Sequence, residues 1–189
     1  MLKRLSTITA IAFITITSYG QEAKKEGEAV KTKMDAFASK TGSIIRFVDY
    51  RLPSFKTDDA IPETRIRKIS SGSLNGYFYQ IKKYDSYGGT TASIEYSDLL
   101  ELLRAVKALK VEVSNDIGAD PDYMENKFVT DDGLQVGYYI RKGKATWYIK
   151  LEKYGSDNTL FINNADVIET AFIEAKNKID ELKKETLKQ

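Results

Sequence analysis

The strongest constraint on the fold is an internal echo about seventy residues long. Tyr77-Phe78-Tyr79-Gln80-Ile81-Lys82-Lys83-Tyr84 aligns with Trp147-Tyr148-Ile149-Lys150-Leu151-Glu152-Lys153-Tyr154 at an offset of 70, with the apolar positions kept. Ile94, Asp98 and Glu101 then match Ile162, Asp166 and Glu169 at an offset of 68, the difference falling in a turn. Self-similarity at a fixed spacing reads as a repeated supersecondary unit.

Within each unit the pattern is strands first and a helix last. Residues 43–52, 64–70, 76–84 and 90–96 are rich in Ile, Val, Tyr and Phe and are separated by turn residues, which predicts four strands. Pro53 and Pro62 bracket the first connection, and Asn75-Gly76 reads as the tight turn before the third strand. Residues 98–113 follow as a helix with Leu99, Leu102, Leu103, Val106 and Leu109 on one face. The second unit predicts strands over 126–130, 134–142, 145–154 and 159–162, with Asp131-Asp132-Gly133 as a hairpin turn, and a helix over 166–184. Asp98-x-x-Glu101 and Asp166-x-x-Glu169 each have the form of a capping box.

Ahead of the units, residues 21–40 are polar with Val30, Met34, Phe37 and Ala38 at helical spacing, and Thr41-Gly42-Ser43 ends that helix. The fold class expected is α+β: an N-terminal helix over 21–42, then two four-strand-plus-helix units over 43–115 and 116–189. One mainly antiparallel sheet carries helices on one face, all within one globular domain. Each unit alone would bury little surface.

Residues 1–20 read as a secretory signal peptide. Lys3 and Arg4 precede a charge-free stretch from Leu5 to Thr17, and Ser18-Tyr19-Gly20 offers the small residues a signal peptidase accepts. The stretch is shorter than the roughly 20 apolar residues of a membrane span. Cleavage after Gly20 is expected, leaving an exported protein without a membrane anchor, in the periplasm or the medium. Losing Lys3 and Arg4 lowers the 29 basic residues to 27, equal to the 27 acidic ones. That balance argues against nucleic acid as a partner.

The chain has no Cys and no His. Disulfides are excluded, as are Cys/His zinc sites and every triad that relies on imidazole. No cofactor or metal is expected. Residues 116–126 concentrate acidic side chains, but their spacing departs from the EF-hand pattern and reads as a helix end with an acidic turn.

The remaining signal is aromatic. Strand alternation puts Tyr77, Tyr79 and Ile81 on one face with Trp147, Ile149 and Leu151, and that face should meet the helices. The opposite face then shows Phe78, Gln80, Lys82 and Tyr84 in one unit and Tyr148, Lys150, Glu152 and Tyr154 in the other. Phe78, Tyr84, Tyr148 and Tyr154 are the candidate ligand-binding residues, since tyrosine among charged groups can hold a protein, peptide or glycan through ring and hydroxyl. The expected function is an exported, non-enzymatic binding module. The alternative is a carboxylate-dependent hydrolase acting on an envelope or extracellular polymer, which needs only two suitably spaced acids.

Overall fold

A computed structural model describes residues 32–39, 41–86 and 88–187. The signal peptide, its cleavage point and residues 21–31 of the expected first helix lie outside the described residues. Among the described residues the architecture is α+β, with three helices and two antiparallel four-stranded sheets. In chain order the elements are α1 (Lys33–Ala38), β1 (Ile45–Leu52), β2 (Glu63–Ser71), β3 (Leu74–Lys83), β4 (Thr90–Glu95), α2 (Tyr96–Gly118), β5 (Met124–Val129), β6 (Gln135–Arg141), β7 (Lys144–Lys150), β8 (Thr159–Ile162) and α3 (Ala165–Thr186).

The expectation of a single sheet is corrected. The strands pair as β1-β2-β3-β4 and, separately, as β5-β6-β7-β8, here called sheet A and sheet B. The reason lies in α2, whose 23 residues carry the chain about 35 Å away from β4 before β5 begins. Each hairpin series is therefore completed among its own strands.

The two helices tie the sheets into one core. Besides its neighbours β3 and β4, α2 reaches β5, β6 and β7, while α3 packs on β2 as well as β8, and the helices pack on each other. Tyr79 of β3 and Phe172 of α3 meet edge to face at 6.1 Å, and Tyr138 of β6 lies 4.8 Å from Trp147 of β7. Burying such rings supplies most of the driving force for folding. Lys83 joins the halves at the rim, donating to Asp59 (3.0 Å), Asp157 (2.9 Å) and the Thr159 carbonyl (3.0 Å).

Two local expectations are overturned by what the side chains find. The capping boxes are not formed: Glu95 caps α2 by accepting from the Ser97 amide at 2.7 Å, and Asn164 caps α3 by accepting from the Asp166 amide at 2.8 Å. Asp98 instead turns inward to Lys33 at 2.5 Å, and Asp166 and Glu169 both turn to Lys110 of α2. Both helices begin ahead of the expected boxes, at Tyr96 and Ala165, so Asp98 and Asp166 lie inside the first turn and their carboxylates reach cations of other elements. The second correction concerns Asn75-Gly76, which lies inside β3 opposite Ser70 and Ile69. The hairpin is at Gly72-Ser73, where Gly72 takes a left-handed φ of 59°. Gly76 is needed in the strand because a Cβ there would stand 2.9 Å from the Phe78 ring and 3.3 Å from Phe37.

That contact locates α1. Thr32 and Asp35 form its capping box, the Lys33 amide donates to both oxygens of Asp132 at 3.1 Å, and Phe37 meets the Phe78 ring edge to face at 6.4 Å. Met34 accepts from Gln80 at 3.4 Å. So α1 lies over the face of sheet A that points away from α2 and α3.

Candidate functional site

The division of strand faces between core and outside follows the alternation. Tyr77, Tyr79, Ile81, Trp147, Ile149 and Leu151 all belong to the core shared with the helices. The outward positions, however, are not uniformly open.

Phe78 is only 1% exposed, because α1 covers it. Its expected availability to a ligand is corrected by that contact. Tyr84 lies just past β3, 56% exposed, where it donates to Glu63 and lies under Lys82 at 4.3 Å. Tyr148 is on the outward side of sheet B yet only 5% exposed. Tyr154 lies beyond β7 in an irregular segment and is 75% exposed. Phe78 and Tyr84 thus belong to sheet A, Tyr148 and Tyr154 to the other half. No hydrogen bond or ring contact among the described residues joins the two pairs.

The burial of Tyr148 has a local cause. It faces Gly137 across the β6–β7 ladder, and Gly137 in turn faces Lys127 on β5. With no side chain at Gly137, the Tyr148 ring crosses β6 and its hydroxyl donates to Glu125 on β5 at 2.6 Å. An aromatic laid over a glycine in this way restores packing at a position that would otherwise be weak. The bond from Tyr148, followed by one from Lys127, holds the Glu125 carboxyl below its usual range. Burial, and then the same bond, pushes the Tyr148 phenol well above its ordinary value.

A carboxyl depressed in the folded state stabilises the fold above its unfolded pKa of roughly 4.3. That contribution is lost as pH falls through the lower folded value. Tyr148→Phe is therefore expected to raise the Glu125 pKa and to start acid unfolding at a higher pH. Following the Glu125 side chain by NMR titration checks this, and an unchanged titration would remove the bond from the account.

Around Tyr148 the register assembles an outward surface. Tyr139 of β6 faces Glu125 and Thr146, and Tyr123, just before β5, stacks on it with centroids 6.3 Å apart and planes 22° from parallel. Phe161 of β8 faces Tyr148 and is partly exposed. Between them is a shallow depression of ≈ 220 Å³, whose lining includes Gln135, Tyr139, Tyr148, Lys150 and Phe161. Alternation in β6 already separates Tyr139 from its core neighbour Tyr138, so this residue had a signal in the sequence. Tyr123 and Phe161 had none.

Sheet A presents a different outward surface. Beside the part under α1, Arg67 makes two 2.7 Å hydrogen bonds to Asp49 and Arg65 bonds Gln80 at 2.7 Å, while Arg51 faces Arg65 directly. The Arg67 guanidinium holds the Asp49 carboxyl below the usual carboxylate range.

Several acidic groups near the start of α1 and after α2 are held by neighbouring elements. Asp132 has its pKa raised by burial, but both its oxygens accept from the start of α1. Asp98 beside it is buried, with one oxygen on Lys33 and the other unpartnered. Asp116, in the acidic stretch after α2, accepts from Asn126 and Tyr138 at 2.5 Å each. Among the described residues no three acidic side chains are grouped to hold a metal ion.

Comparison with protein-family models, with curated proteins and with solved structures finds no match to this chain.

Proposed function

We propose that the protein is an exported, non-enzymatic binding module whose contact surface is the outward face of sheet B. The observation that carries this reading is the contrast between the two sheets. On sheet A, α1 covers Phe78 and Gln80 and leaves Phe47, Leu74 and Tyr84 exposed separately on the edge strand and at the strand ends, whereas sheet B presents Tyr123, Tyr139 and Phe161 together around an open depression. Exposed tyrosine amid polar groups offers a ring for stacking and hydroxyls for hydrogen bonding, a combination enriched at binding surfaces.

The finer reading of the architecture is a duplication. β3 and β7 occupy the same place in their sheets, with Tyr79 opposite Ile66 and Ile149 opposite Val136. Duplication followed by divergence accounts for one half keeping part of its outward face covered while the other opened. Export rests on residues 1–20, and the intact mass of protein recovered outside the cytoplasm should correspond to a chain starting at Gln21.

The test is binding of soluble glycans and peptides to the protein and to its Tyr139→Ser variant. Loss of a central aromatic anchor is expected to weaken binding by about tenfold or more, since such anchors dominate interface energetics. Release of shortened polymer in the same mixtures would favour the hydrolase. Equal binding by both proteins would place the surface elsewhere.

A further inference from the structure

The β6–β7 hairpin carries charges that its fold does not require. Arg141 and Lys144 are directly opposite each other and both are exposed, an arrangement that destabilises a sheet through like-charge repulsion. Between them Lys142 takes a left-handed φ of 52°, a conformation that Gly, Asn or Asp adopts with less strain. None of these three cations has an ion pair, hydrogen bond or ring contact among the described residues.

The equivalent hairpin of sheet A shows that the turn does not demand them. There Ser71 faces Leu74 and a glycine takes the left-handed position. On the outward face of sheet A, Arg65 and Arg67 are ion-paired to Glu63 and Asp49. On the outward positions of β5 to β8, Lys127, Arg141, Lys144 and Lys150 face one carboxylate, Glu125. That carboxylate is already held by Tyr148 and Lys127. The unpaired cations of the hairpin therefore adjoin the stacked Tyr123 and Tyr139 rings, with Asp120 and Asp122 the acidic residues that flank Tyr123 in sequence.

We infer that this surface binds an anionic polysaccharide, with Arg141, Lys142 and Lys144 meeting its carboxylate or sulfate groups and a sugar ring lying on the Tyr123–Tyr139 pair. The inference rests on the reading of sheet B as the binding face. Charge complementarity supplies the anion, and the aromatic pair supplies an apolar platform beside hydroxyl donors and acceptors. A membrane surface fits less well, because Lys142-Gly143 at the tip carries no large apolar side chain to enter a bilayer. Single-stranded nucleic acid fits less well too, since it uses a series of separate rings for successive bases. Here two rings stack on one another.

Titration calorimetry with polygalacturonate, dextran sulfate and uncharged dextran tests the assignment, using the protein, an Arg141→Ser/Lys144→Ser variant and Tyr139→Ser. Binding to a charged polymer but not to dextran is expected. The double variant should weaken it about tenfold, as should raising salt from about 0.05 M to about 0.5 M, and Tyr139→Ser should weaken it as well. The double variant should melt no lower than the parent, because it relieves a repulsion. Equal binding of dextran, undiminished in the double variant but lost in Tyr139→Ser, would overturn the anionic assignment and leave the binding face standing. Weakening by the charge variant alone would reduce the effect to diffuse attraction and overturn it, as would binding none of the polymers. Tighter binding of a single-stranded DNA oligonucleotide would overturn it in favour of nucleic acid. Binding unaffected by either variant would remove both readings.

Discussion

Trp147→Ala is expected to destabilise the protein by about 3–5 kcal/mol, the usual cost of deleting a large buried aromatic and leaving a cavity. Trp147 is buried in the core shared by both sheets and both long helices, and it lies 4.8 Å from the Tyr138 ring. Its removal weakens the contact between β6 and β7 and also the seat of α2, which packs on both strands. Urea unfolding followed by circular dichroism checks the magnitude, with the slope against denaturant expected to stay unchanged. A loss within about 0.5 kcal/mol, the range of ordinary surface changes, would mean that Trp147 does not face the helices.

Gly137→Ala carries the second large effect, expected at about 1–3 kcal/mol because the new methyl has nowhere to go. Its Cβ would stand 2.2 Å from the Asn126 carbonyl oxygen and 2.8 Å from Lys127 Cα. Those atoms are backbone of the paired strand, so relief requires β5 to move away. The variant should also disturb the Tyr148–Glu125 bond, which passes over the same position. Gly118→Ala is the control: it lies in α2 with open space around its added Cβ and should be neutral or slightly stabilising, as alanine is in helices. Thermal melts of the two variants separate these outcomes. Equal melting temperatures would mean that β5 and β6 do not approach as closely as described.

The sequence was most legible where period alone decides the structure. Alternation in 77–84 and 147–154 separated Tyr79 and Ile149, which enter the core, from Phe78 and Tyr148, which do not join that cluster. What it could not supply was the environment on the outward side. Phe78 is hidden by a six-residue helix more than forty positions earlier, and Tyr148 by the absence of a side chain at Gly137 on the next strand. Neither cause is local in sequence.

The capping boxes failed for a related reason. Asp98 and Asp166 have suitable spacing to Glu101 and Glu169, but α2 and α3 start earlier, capped by Glu95 and Asn164, and Lys33 takes Asp98 while Lys110 takes Asp166 and Glu169. The division into two sheets was hidden because strand periodicity says nothing about which edges meet. The candidate site was half legible. Sheet B's outward side was identified through Tyr148, and alternation in β6 also marked Tyr139 as outward, whereas its stacking with Tyr123 beside the Arg141-Lys142-Gly143-Lys144 hairpin emerges only from the register.

The central claim is that the Tyr123–Tyr139 region of sheet B's outward face is open for binding, while the part of sheet A's outward face under α1 is closed. Hydroxyl-radical footprinting of the free protein, read residue by residue through mass spectrometry, tests it most directly. Tyr123 and Phe161 should be oxidised readily and the half-buried Tyr139 more slowly, while Phe78, under α1, and Tyr148, laid across Gly137, should be protected. Oxidation of Phe78 as fast as Tyr139, or protection of Tyr139 in the absence of any ligand, would contradict it.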